Sequence, residues 1–520
     1  MNLGNAVRFW ATWQPDGESL VVGDQRIGWA EFHERTSRLA NGLRAIGIGK
    51  GDRVGILSGN CLEYVELAVA GYKVGSILVP LNVRLAPPEL RYIIDHAGCR
   101  AVVADAELAE LGAAALDGGT NGGGASEEIL RIGLGDGFGL AFDELRSGDD
   151  TDPNAVVEAG DVAYICYTSG TTGSPKGAML SHGNLLAMAF NRILADDLVS
   201  ASRVYLPYPL SFTGGLVSTY APTYVGGATL VLDKEMEPTQ CLEVIEREGI
   251  TNFAAVPVIW EMIVNNPRFG EFDLSSLRVI GSGGASAPGA LIQRLRDAGL
   301  PMSQGYGLTE GAGFNAWLRA EDAQRKIGSC GRPMMQTKMR FVDPDNEDAL
   351  VDVAPGEVGE LIIAGPEIML GYWNNPEATA KTLIDGWLRT GDLARADDEG
   401  FVYIVDRSKD MLISGGLNVY PAEIEAVLAE VEGLAECAVI GVPDDRWGET
   451  PAALLVPRPG ARVDAADVVA RCRANLADYK RPRYIVIREE PLPRGMSGKV
   501  LKRELRDEYA EPATLGPAVH

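Results

Sequence analysis

The residues with the most evident chemistry form a loop that follows a strand-like run of aromatic and β-branched residues. The run is residues 164–167, and the loop is residues 168–177, TSGTTGSPKG. Small residues leave backbone N–H groups accessible, hydroxyl groups add donors, and Lys176 adds a positive charge, so the loop is suited to binding phosphate. It is not a Walker loop, because Gly177 follows the lysine where that motif has Ser or Thr. The alternative, a flexible linker, seldom separates a strand from a helical segment.

Six further segments follow this loop, and each carries glycines, hydroxyls or charged groups of the kind that contact a nucleotide. They are residues 281–286 (GSGGAS), 304–310 (QGYGLTE), 389–392 (RTGD), 406–410 (DRSKD), 415–425 (GGLNVYPAEIE) and 493–499 (PRGMSGK). With the loop they follow the order typical of the acyl-adenylate-forming superfamily, which the chain resembles over nearly its whole length. That superfamily contains acyl-CoA synthetases, the adenylation domains of peptide synthetases and beetle luciferases.

The resemblance implies an acid–thiol ligase that uses ATP, Mg²⁺ and coenzyme A. A carboxylate is anionic and has no good leaving group, so it is activated by attack on the α-phosphate of ATP, which gives acyl-AMP and pyrophosphate. Two alternatives stay open: an adenylating enzyme that passes the acyl group to a carrier protein or another nucleophile, and a non-catalytic nucleotide-binding regulator. The second is disfavoured because the lysines, carboxylates and arginine of the motifs are all present. Nothing in the sequence specifies luciferase-like oxygenation.

The resemblance also assigns the nucleotide site. The expected ATP- and AMP-binding residues are Thr168, Ser169, Gly170, Thr171, Thr172, Gly173, Lys176, Gly283, Gly284, Ala285, Gln304, Gly305, Tyr306, Gly307, Thr309, Asp392, Arg407 and Lys499. The expected catalytic residues are Lys176, Thr309, Glu310 and Lys499. Glu310 is expected to bind Mg²⁺, a hard cation that suits one carboxylate plus phosphate oxygens. Asp392 would accept hydrogen bonds from the ribose, supported by Arg407, and Lys499 would stabilise the adenylation transition state.

The expected acyl pocket departs from the pattern of many acyl-CoA synthetases, which carry a histidine where this chain has Phe212. The residues implied to line it are Phe212, Thr213, Gly214, Trp260, Gly284, Gly305 and Gly307. We expect the glycines to leave room, whereas Trp260 would close one end if it points inward. There is no Asp or Glu between Leu198 and Leu232. An amino acid substrate is therefore disfavoured, because a buried ammonium group without a counter-charge is costly.

The coenzyme A and hinge residues are assigned by the same resemblance. They are Lys409 as the hinge, Gly415 and Gly416 on the face presented for the thioester step, and Trp447, Lys480 and Arg481 on the route of coenzyme A. Positive charge also concentrates late in the chain, at Arg483, Arg494, Lys502 and Arg503, as a cradle for phosphates. A solvated basic face is the alternative. No Gly-Gly-x-Ser site follows residue 499, so we expect no thiolation domain.

Bulk properties restrict the class of protein. The 520 residues exceed one hydrophobic core, and a net charge of −25 disfavours nucleic acid as a partner. The seven cysteines show neither a C-x-x-C pair nor zinc spacing, and no apolar run reaches the length of a membrane span or a secretion signal. We therefore expect a cytoplasmic enzyme with no membrane span and with a carboxylic acid and coenzyme A as partners; a homodimer is left open.

The elements that must position these residues alternate between helix and strand. Helical periodicity over 29–47, 236–248 and 288–299 precedes strand-like residues, which indicates an α/β fold with parallel strands. Short strands from residue 357 indicate a β subdomain, and residues 421–433 and 464–477 indicate helices of a small mobile α+β domain. We predict an AMP-binding domain at 1–408, a mobile domain at 409–520, and a mobile surface excursion at 105–150.

Overall fold

The computed structural model has two compact units. It describes residues 2–117, 129–168, 175–285, 287–344, 346, 350–407, 410–414, 417–444, 447–494, 499–510 and 512–519. Unit 1 comprises Met1–Met339 and Ile363–Arg389, and unit 2 comprises Arg340–Ile362 and Thr390–His520. The α/β class with a separate small C-terminal domain is confirmed. The boundary between residues 408 and 409 stays a prediction.

The elements are numbered in chain order. The strands are β1 (Glu18–Val22), β2 (Gln25–Gly28), β3 (Arg53–Leu57), β4 (Ile77–Pro80), β5 (Cys99–Asp105), β6 (Leu130–Leu134), β7 (Leu140–Ala141), β8 (Val162–Thr168), β9 (Lys176–Ser181), β10 (Arg203–Leu206), β11 (Thr229–Leu232), β12 (Asn252–Ala255), β13 (Val279–Gly283), β14 (Met302–Leu308), β15 (Gly313–Leu318), β16 (Arg332–Pro333), β17 (Lys338–Val342), β18 (Gly359–Ala364), β19 (Gly371–Tyr372), β20 (Leu383–Ile384), β21 (Trp387–Ala396), β22 (Val402–Arg407), β23 (Leu412–Ser414), β24 (Leu417–Val419), β25 (Leu434–Asp444), β26 (Gly448–Pro457) and β27 (Tyr484–Ile487). The helices are α1 (Gly4–Trp13), α2 (Trp29–Ala45), α3 (Leu62–Val74), α4 (Pro87–Ala97), α5 (Ala109–Asp117), α6 (Phe142–Leu145), α7 (His182–Ala195), α8 (Thr213–Gly215), α9 (Ala221–Gly226), α10 (Pro238–Glu248), α11 (Pro257–Val264), α12 (Gly289–Asp297), α13 (Ala320–Ala323), α14 (Pro376–Thr382), α15 (Pro421–Leu428), α16 (Ala465–Asn475) and α17 (Lys502–Glu508).

The first sheet of unit 1 carries the strand that leads into the phosphate loop. Among the described residues its order is β19-β9-β8-β4-β3-β5-β6-β7, with β3, β4, β5 and β8 parallel. These central strands are almost wholly apolar and buried, as parallel strands covered by helices must be. The predicted helix at 29–47 is α2, and the predicted strand that follows it is β3.

The second sheet of unit 1 places two of the motifs at one edge. Its order within the described residues is β16-β15-β14-β13-β12-β10-β11-β1-β2, and β10 to β14 run parallel. Helices α10 and α12 confirm the helices predicted at 236–248 and 288–299. Because β13 and β14 are parallel, their carboxyl ends, where residues 281–286 and 304–310 lie, meet at the edge where α/β proteins bind ligands.

Residues 105–150 do not form the irregular excursion that their composition predicts. Strand β6 pairs in parallel with β5, and β7 pairs with β6, so the described part extends the first sheet. Ile132 and Gly133, in the middle of β6, are buried, whereas Leu130 at its start is exposed. The Gly-rich segment 118–128 lies outside the described residues.

Unit 2 contains the β subdomain and the C-terminal helices that the sequence predicts. Strands β17, β18, β21 and β22 are sheet neighbours, and β24-β23-β26-β25 form a second sheet to which β27 is added in parallel. Helices α15 and α16 correspond to the predicted helices. Two buried apolar clusters lie on this second sheet, one including Ile424 and Val468 and the other including Ile440 and Leu505.

None of the seven cysteines is joined to another by a disulfide. Burial raises the pKa of five of them to between about 11 and about 12: Cys61, Cys99, Cys166, Cys241 and Cys437. The described residues contain no group of three or more His, Cys, Asp or Glu side chains that could hold a metal. No described helix is long and apolar enough to cross a bilayer.

Candidate active site

Tyr372 joins two of the predicted catalytic residues in unit 1. Its hydroxyl donates to Oε1 of Glu310 at 2.8 Å, and Nζ of Lys176 lies 5.2 Å from its ring centroid, which is a cation–π distance. Strand pairing creates this arrangement, because Tyr372 pairs with Ala178 in β9, the strand that begins at Lys176. The backbone N–H of Met369 also donates to the carbonyl of Glu310 at 2.9 Å. Burial and the Glu310 carboxylate raise the pKa of Tyr372, so its hydroxyl stays protonated as a donor.

Thr213 and Thr309 bring the predicted acyl pocket next to the predicted phosphate contact. Their Oγ1 atoms lie 3.0 Å apart. Thr309 opens the turn Thr309–Gly311 at the end of β14, and Thr213 opens α8. The thiol of Cys166 in β8 is buried, and an interaction with Thr213 partly offsets the rise that burial causes in its pKa. These contacts place a hydroxyl pair, a carboxylate and a lysine around the carboxyl ends of β8 and β14.

The other predicted nucleotide residues of unit 1 flank this group. Thr168 ends β8 and pairs with Lys176 across the loop. Gln304 is buried, and its Oε1 accepts from the backbone N–H of Ala287 at 3.2 Å, so it braces the segment after β13. Tyr306 is half-buried in β14, and Ala285 is exposed beyond the end of β13.

The glycines of β13 and β14 allow close packing rather than free space. A Cβ on Gly283 or Gly305 would lie 2.4 or 2.5 Å from the ring of Phe314, and one on Gly307 would lie 1.5 Å from the carbonyl oxygen of Gly313. The expectation that Gly305 and Gly307 leave room is therefore wrong, because an aromatic ring and a neighbouring strand already fill that volume. Whether these glycines contact the acyl group stays a prediction.

Open space does lie beside two other glycines predicted to line the pocket. No atom lies within 4 Å of a Cβ built on Gly214, and the nearest to one on Gly284, whose φ is +79°, is 3.6 Å away. Phe212 is half-buried before α8. Trp260 is fully buried, and its Nε1–H donates to the carbonyl of Gly281 at 2.8 Å, so it braces β13 from within the core.

Unit 1 also contains a small cavity, partly open to solvent, with room for about one water molecule. Its walls include Arg192, Asp196, Ser218, Phe253, Gly281 and Trp317. None of the seven residues predicted to line the acyl pocket is among its lining residues in the described part of the chain. Asp196 lies just before residues 198–232, the stretch that contains no Asp or Glu. The cavity therefore does have a carboxylate in its wall, but this carboxylate is paired with Arg192.

In unit 2, Asp392 and Arg407 form the predicted pair. Arg407 Nε lies 3.0 Å from Oδ1 of Asp392, and the two residues are opposite each other in the ladder of β21 and β22. Asp392 is buried, and its backbone N–H donates to Thr390 Oγ1 at 3.1 Å. The strand partner and the hydrogen-bonded turn fix the position of the Asp392 carboxylate. A carboxylate predicted to bind both ribose hydroxyls needs such a fixed position.

Residues on both sides of the predicted hinge are anchored. The carboxylate of Asp406 accepts from the backbone N–H of Ala422 at 2.9 Å, at the start of α15, and burial raises the pKa of this carboxyl. Asp410 accepts from Arg506 Nη2 at 2.5 Å. The bond between Asp406 and Ala422 joins residues on either side of the predicted hinge, so a backbone rotation there would break it.

Six basic residues late in unit 2 are paired with carboxylates: Lys480 with Glu423 at 2.7 Å, Arg481 with Asp478 at 2.7 Å, Arg483 with Asp444 at 3.5 Å, Arg494 with Glu436 at 2.7 Å, Lys502 with Glu425 at 2.7 Å and Arg503 with Asp507 at 4.0 Å. Any phosphate cradle here would have to compete with these pairs. Trp447 is 40% exposed, and Lys499 is exposed.

Three groups of predicted residues fall outside the described part of the chain. They are the loop residues Ser169, Gly170, Thr171, Thr172 and Gly173, the hinge residue Lys409, and the pair Gly415 and Gly416. Their roles stay predictions.

Comparison with known proteins identifies the family. The family model of the AMP-binding enzymes matches residues 7–373, and that of the AMP-binding enzyme C-terminal domain matches residues 423–499. The chain belongs to the AMP-binding enzyme family. Its reaction is that of the AMP-forming acid–thiol ligases, in which a carboxylic acid is joined to coenzyme A.

Three relatives illustrate the range of this family. Feruloyl-CoA synthase of Amycolatopsis sp is 40% identical over 499 residues, which cover 96% of this chain and 97% of that protein. Long-chain-fatty-acid–CoA ligase FadD13 of Mycobacterium tuberculosis is 37% identical over 511 residues, 98% of this chain and 99% of that one. The structure of o-succinylbenzoate coenzyme A synthetase from Bacillus subtilis with ATP and magnesium ion matches with a TM-score of 0.85 at 29% identity, covering 97% and 99% of the two chains.

The residues of this AMP-binding enzyme fit a magnesium ion carried by ATP. Glu310 would supply one carboxylate, and one of its oxygens accepts the hydrogen bond from Tyr372. Mg²⁺ binds nucleotide-dependent enzymes through one or two carboxylates together with phosphate oxygens, so a single oriented carboxylate is sufficient. Tyr372 was missed by sequence reasoning, although it stands in the conspicuous segment GYWNNPE at residues 371–377.

Proposed function

We propose that this ligase makes acyl-CoA from a carboxylic acid in two half-reactions, with ATP as the activating substrate and free coenzyme A as the acceptor. The observation that supports this proposal is the connected group in unit 1 that runs from Lys176 through Tyr372 to Glu310, with the hydroxyl pair of Thr213 and Thr309 beside it. A cation, a metal-binding carboxylate and hydroxyl donors are the groups that a triphosphate and an acyl group need side by side.

In the first half-reaction an oxygen of the substrate carboxylate attacks the α-phosphorus. The bond from that phosphorus to the bridging oxygen of the β-phosphate breaks, and pyrophosphate leaves. Lys176 and Thr309 contact phosphate oxygens, and Glu310 binds Mg²⁺. When bound, the metal neutralises charge on the phosphates. Lys499 stabilises the charge that develops on the transferring phosphorus.

Asp392 and Arg407 act on the sugar of the nucleotide. Asp392 accepts hydrogen bonds from the ribose hydroxyls, and Arg407 fixes its carboxylate through the 3.0 Å contact. Charge-assisted hydrogen bonds of this kind are stronger than neutral ones, so the pair contributes to the affinity for ATP.

In the second half-reaction the sulfur of coenzyme A, after its proton has passed to solvent, attacks the acyl carbon. The bond from that carbon to the phosphate oxygen breaks, and AMP leaves. The resemblance assigns the change between the steps to rotation at Lys409, which brings Gly415 and Gly416 to the thioester step. Trp447, Lys480 and Arg481 would lie along the route of coenzyme A.

A reducing cytoplasm is the proposed setting. The seven free cysteines support it, because disulfides form and persist in oxidising compartments. A homodimer stays a prediction.

The test is incubation of the purified protein with Mg-ATP and aliphatic, aryl and alicyclic acids, with and without coenzyme A. Pyrophosphate release and the mass of the products are measured. An acyl-CoA product supports the proposal. Acyl-AMP that is not converted on addition of coenzyme A would point to another acceptor, and ATP binding without pyrophosphate release from any acid would favour the regulator.

A further inference from the structure

Strands β8 and β9 carry the two ends of the loop predicted to bind phosphate, and their side chains divide between two faces. Thr168 lies opposite Lys176 in the antiparallel ladder, and Tyr167 lies opposite Gly177. Residues opposite each other in such a ladder share a face of the sheet, and successive residues alternate between the faces. Thr168 and Lys176 therefore belong to one face, and Tyr372, whose ring centroid is 5.2 Å from Nζ of that lysine, lies on their side. Tyr167 and Gly177 belong to the other face.

The ring of Tyr167 occupies the space beside Gly177 on this second face. A Cβ built on Gly177 would lie 3.1 Å from the Tyr167 ring and 2.6 Å from a methyl carbon of Ile165. Only a residue without a side chain leaves this space to the ring. The ring is therefore seated against the backbone of the residue that follows Lys176.

Helix α4 supplies the partners of the second face. Nδ1 of His96 shares a hydrogen bond of 2.8 Å with the hydroxyl of Tyr167, and the two rings meet edge-on with centroids 5.8 Å apart. The hydroxyl of Tyr92 donates to the carbonyl oxygen of Pro175, the residue before Lys176, at 3.3 Å. Tyr92 and His96 are one helical turn apart, so their rings stack, with centroids 5.5 Å apart. One helix thus contacts both ends of the loop.

Helix α4 is anchored independently of the loop. Leu90, Ile93 and Ile94 are at most 2% exposed, so another side of the helix is part of the hydrophobic core. The helix ends at Gly98, whose φ of +67° suits the left-handed conformation that commonly terminates a helix. An element held in this way can fix the position of whatever its other side chains contact.

We propose that Tyr92, His96 and Tyr167 are positioning residues for the triphosphate of ATP. They hold the strand ends that carry Thr168 and Lys176 from the face opposite the predicted phosphate contacts. The backbone around Thr168 and Lys176 is then already in place when ATP binds, and a pre-organised site binds more tightly because less order has to be created on binding. This inference rests on the proposed function, because it concerns the ATP that the ligase uses.

The test measures the Kd of Mg-ATP by calorimetry, without an acid, for Tyr92→Phe, for Tyr167→Phe and for the two combined. Each change removes one hydroxyl and keeps the ring. From the usual contribution of a neutral hydrogen bond we expect the Kd to rise about threefold for each variant and about tenfold for the pair, because the two bonds hold different ends of the loop. The Kd of AMP, which lacks two of the three phosphates, should change by less than about twofold.

Thioester formation from supplied acyl-AMP and coenzyme A is the readout that separates positioning from general distortion. No triphosphate is bound in that step, so its rate should stay within about twofold of the wild-type rate in all three variants. An unchanged Kd of ATP would overturn the inference. Equal losses for ATP, AMP and the thioester step would overturn it as well, because they would indicate a damaged fold rather than a displaced lysine and threonine.

A double-mutant cycle tests whether His96 acts through Tyr167. His96→Phe keeps a ring against Tyr92 but loses the hydrogen bond, so it should raise the Kd of ATP about as much as Tyr167→Phe. Because both changes break the same bond, the double variant should be no weaker than either single one. Losses that multiply in the double variant would overturn the assignment of this pair.

Tyr205→Phe is the matched control. It removes the hydroxyl of another tyrosine of unit 1, which donates to Oδ2 of Asp233 at 2.5 Å. This variant should lose stability in urea unfolding but keep the wild-type ratio of the Kd values of AMP and ATP; an equal fall in that ratio would overturn the inference. If Tyr167→Phe does not fold, Tyr92→Phe decides the question alone, since its bond is only partly buried. Absence of pyrophosphate release by the wild type with any acid would refute the proposed function, whereas an ATP affinity that the variants leave unchanged refutes only this inference.

Discussion

The hydroxyl of Tyr372 should govern how tightly the ligase holds magnesium. Its hydrogen bond to Glu310, 2.8 Å long and partly buried, fixes the carboxylate in one orientation before the metal binds. A hydrogen bond to a charged group contributes about 1.5–3 kcal/mol, and second-shell partners of a metal typically change its affinity by about 10–100-fold. Since the carboxylate is only half-buried, we take the lower limit, about tenfold.

Tyr372→Phe isolates this effect, because the phenyl ring that faces Lys176 is retained and only the hydroxyl is lost. We expect the Mg²⁺ concentration for half-maximal pyrophosphate release to rise about tenfold at fixed ATP. At saturating Mg²⁺ the kcat should recover to within about twofold, because the bound metal itself then holds the carboxylate.

The control is Tyr403→Phe, which removes a hydrogen bond from a tyrosine to Asp397 at 3.3 Å in unit 2. That variant should show the wild-type response to Mg²⁺. An unchanged or lower Mg²⁺ requirement in Tyr372→Phe would refute the reasoning that this hydroxyl orients the metal ligand.

Four further predictions concern other residues. Lys499→Ala should abolish acyl-AMP formation yet spare thioester formation from supplied acyl-AMP; equal loss of both half-reactions would contradict the role given to this lysine. Lys409→Pro should slow only the second half-reaction, and unchanged thioester kinetics would reject it as the pivot. Asp392→Asn should raise the KM for ATP by about 10–100-fold and remove the discrimination against 2′-deoxy-ATP; discrimination that persists in the variant would count against ribose binding. His182 is fully buried, and burial lowers its pKa to about 4. Between pH 6.5 and about pH 4 the imidazole is therefore protonated in the unfolded chain but neutral in the folded chain. The free energy of unfolding should therefore fall as the pH drops through this window, by on the order of 2–3 kcal/mol from this residue, and His182→Phe should lose that part of the slope in urea unfolding at pH 7 and pH 5; an identical slope would contradict it.

Local sequence signals were sufficient for most of the fold. Helical periodicity and strand-like runs located α2, α10 and α12 and the strands beside them, because buried parallel strands and amphipathic helices impose their own spacing. The composition of residues 105–150 predicted irregular structure, and this prediction was wrong. The glycines and acidic residues around β6 hid the pattern of so short a strand. The apolar positions Ile132 and Leu134 carried its signal, but five residues are too few to establish a period.

Contacts between residues far apart in the sequence could not be predicted from local patterns. Tyr372 reaches Glu310 across 62 residues, and nothing local marks it as a partner of that carboxylate. A glycine can either leave open space or allow neighbouring groups to pack closely, and the sequence does not distinguish the two. The rings of Phe314 and Trp317 show that Gly305 allows close packing. Positive charge late in the chain likewise looked unbalanced in sequence, because the carboxylate partners of Lys480, Arg483, Arg494 and Lys502 come from other elements.

The burial of the thiols bears on the chemical hazard of handling coenzyme A. A disulfide of coenzyme A exchanges only with a thiolate, and the pKa of Cys166, raised to about 12, leaves roughly one thiolate in ten thousand molecules at pH 8. This cysteine lies beside Thr213, close to where the acyl group is expected, so a reactive sulfur there would compete with coenzyme A for the acyl-adenylate. Because burial keeps this thiol protonated at neutral pH, it is a poor nucleophile. Burial of Cys166 therefore disfavours, at this position, both transfer of the acyl group to the protein and mixed disulfides with oxidised coenzyme A.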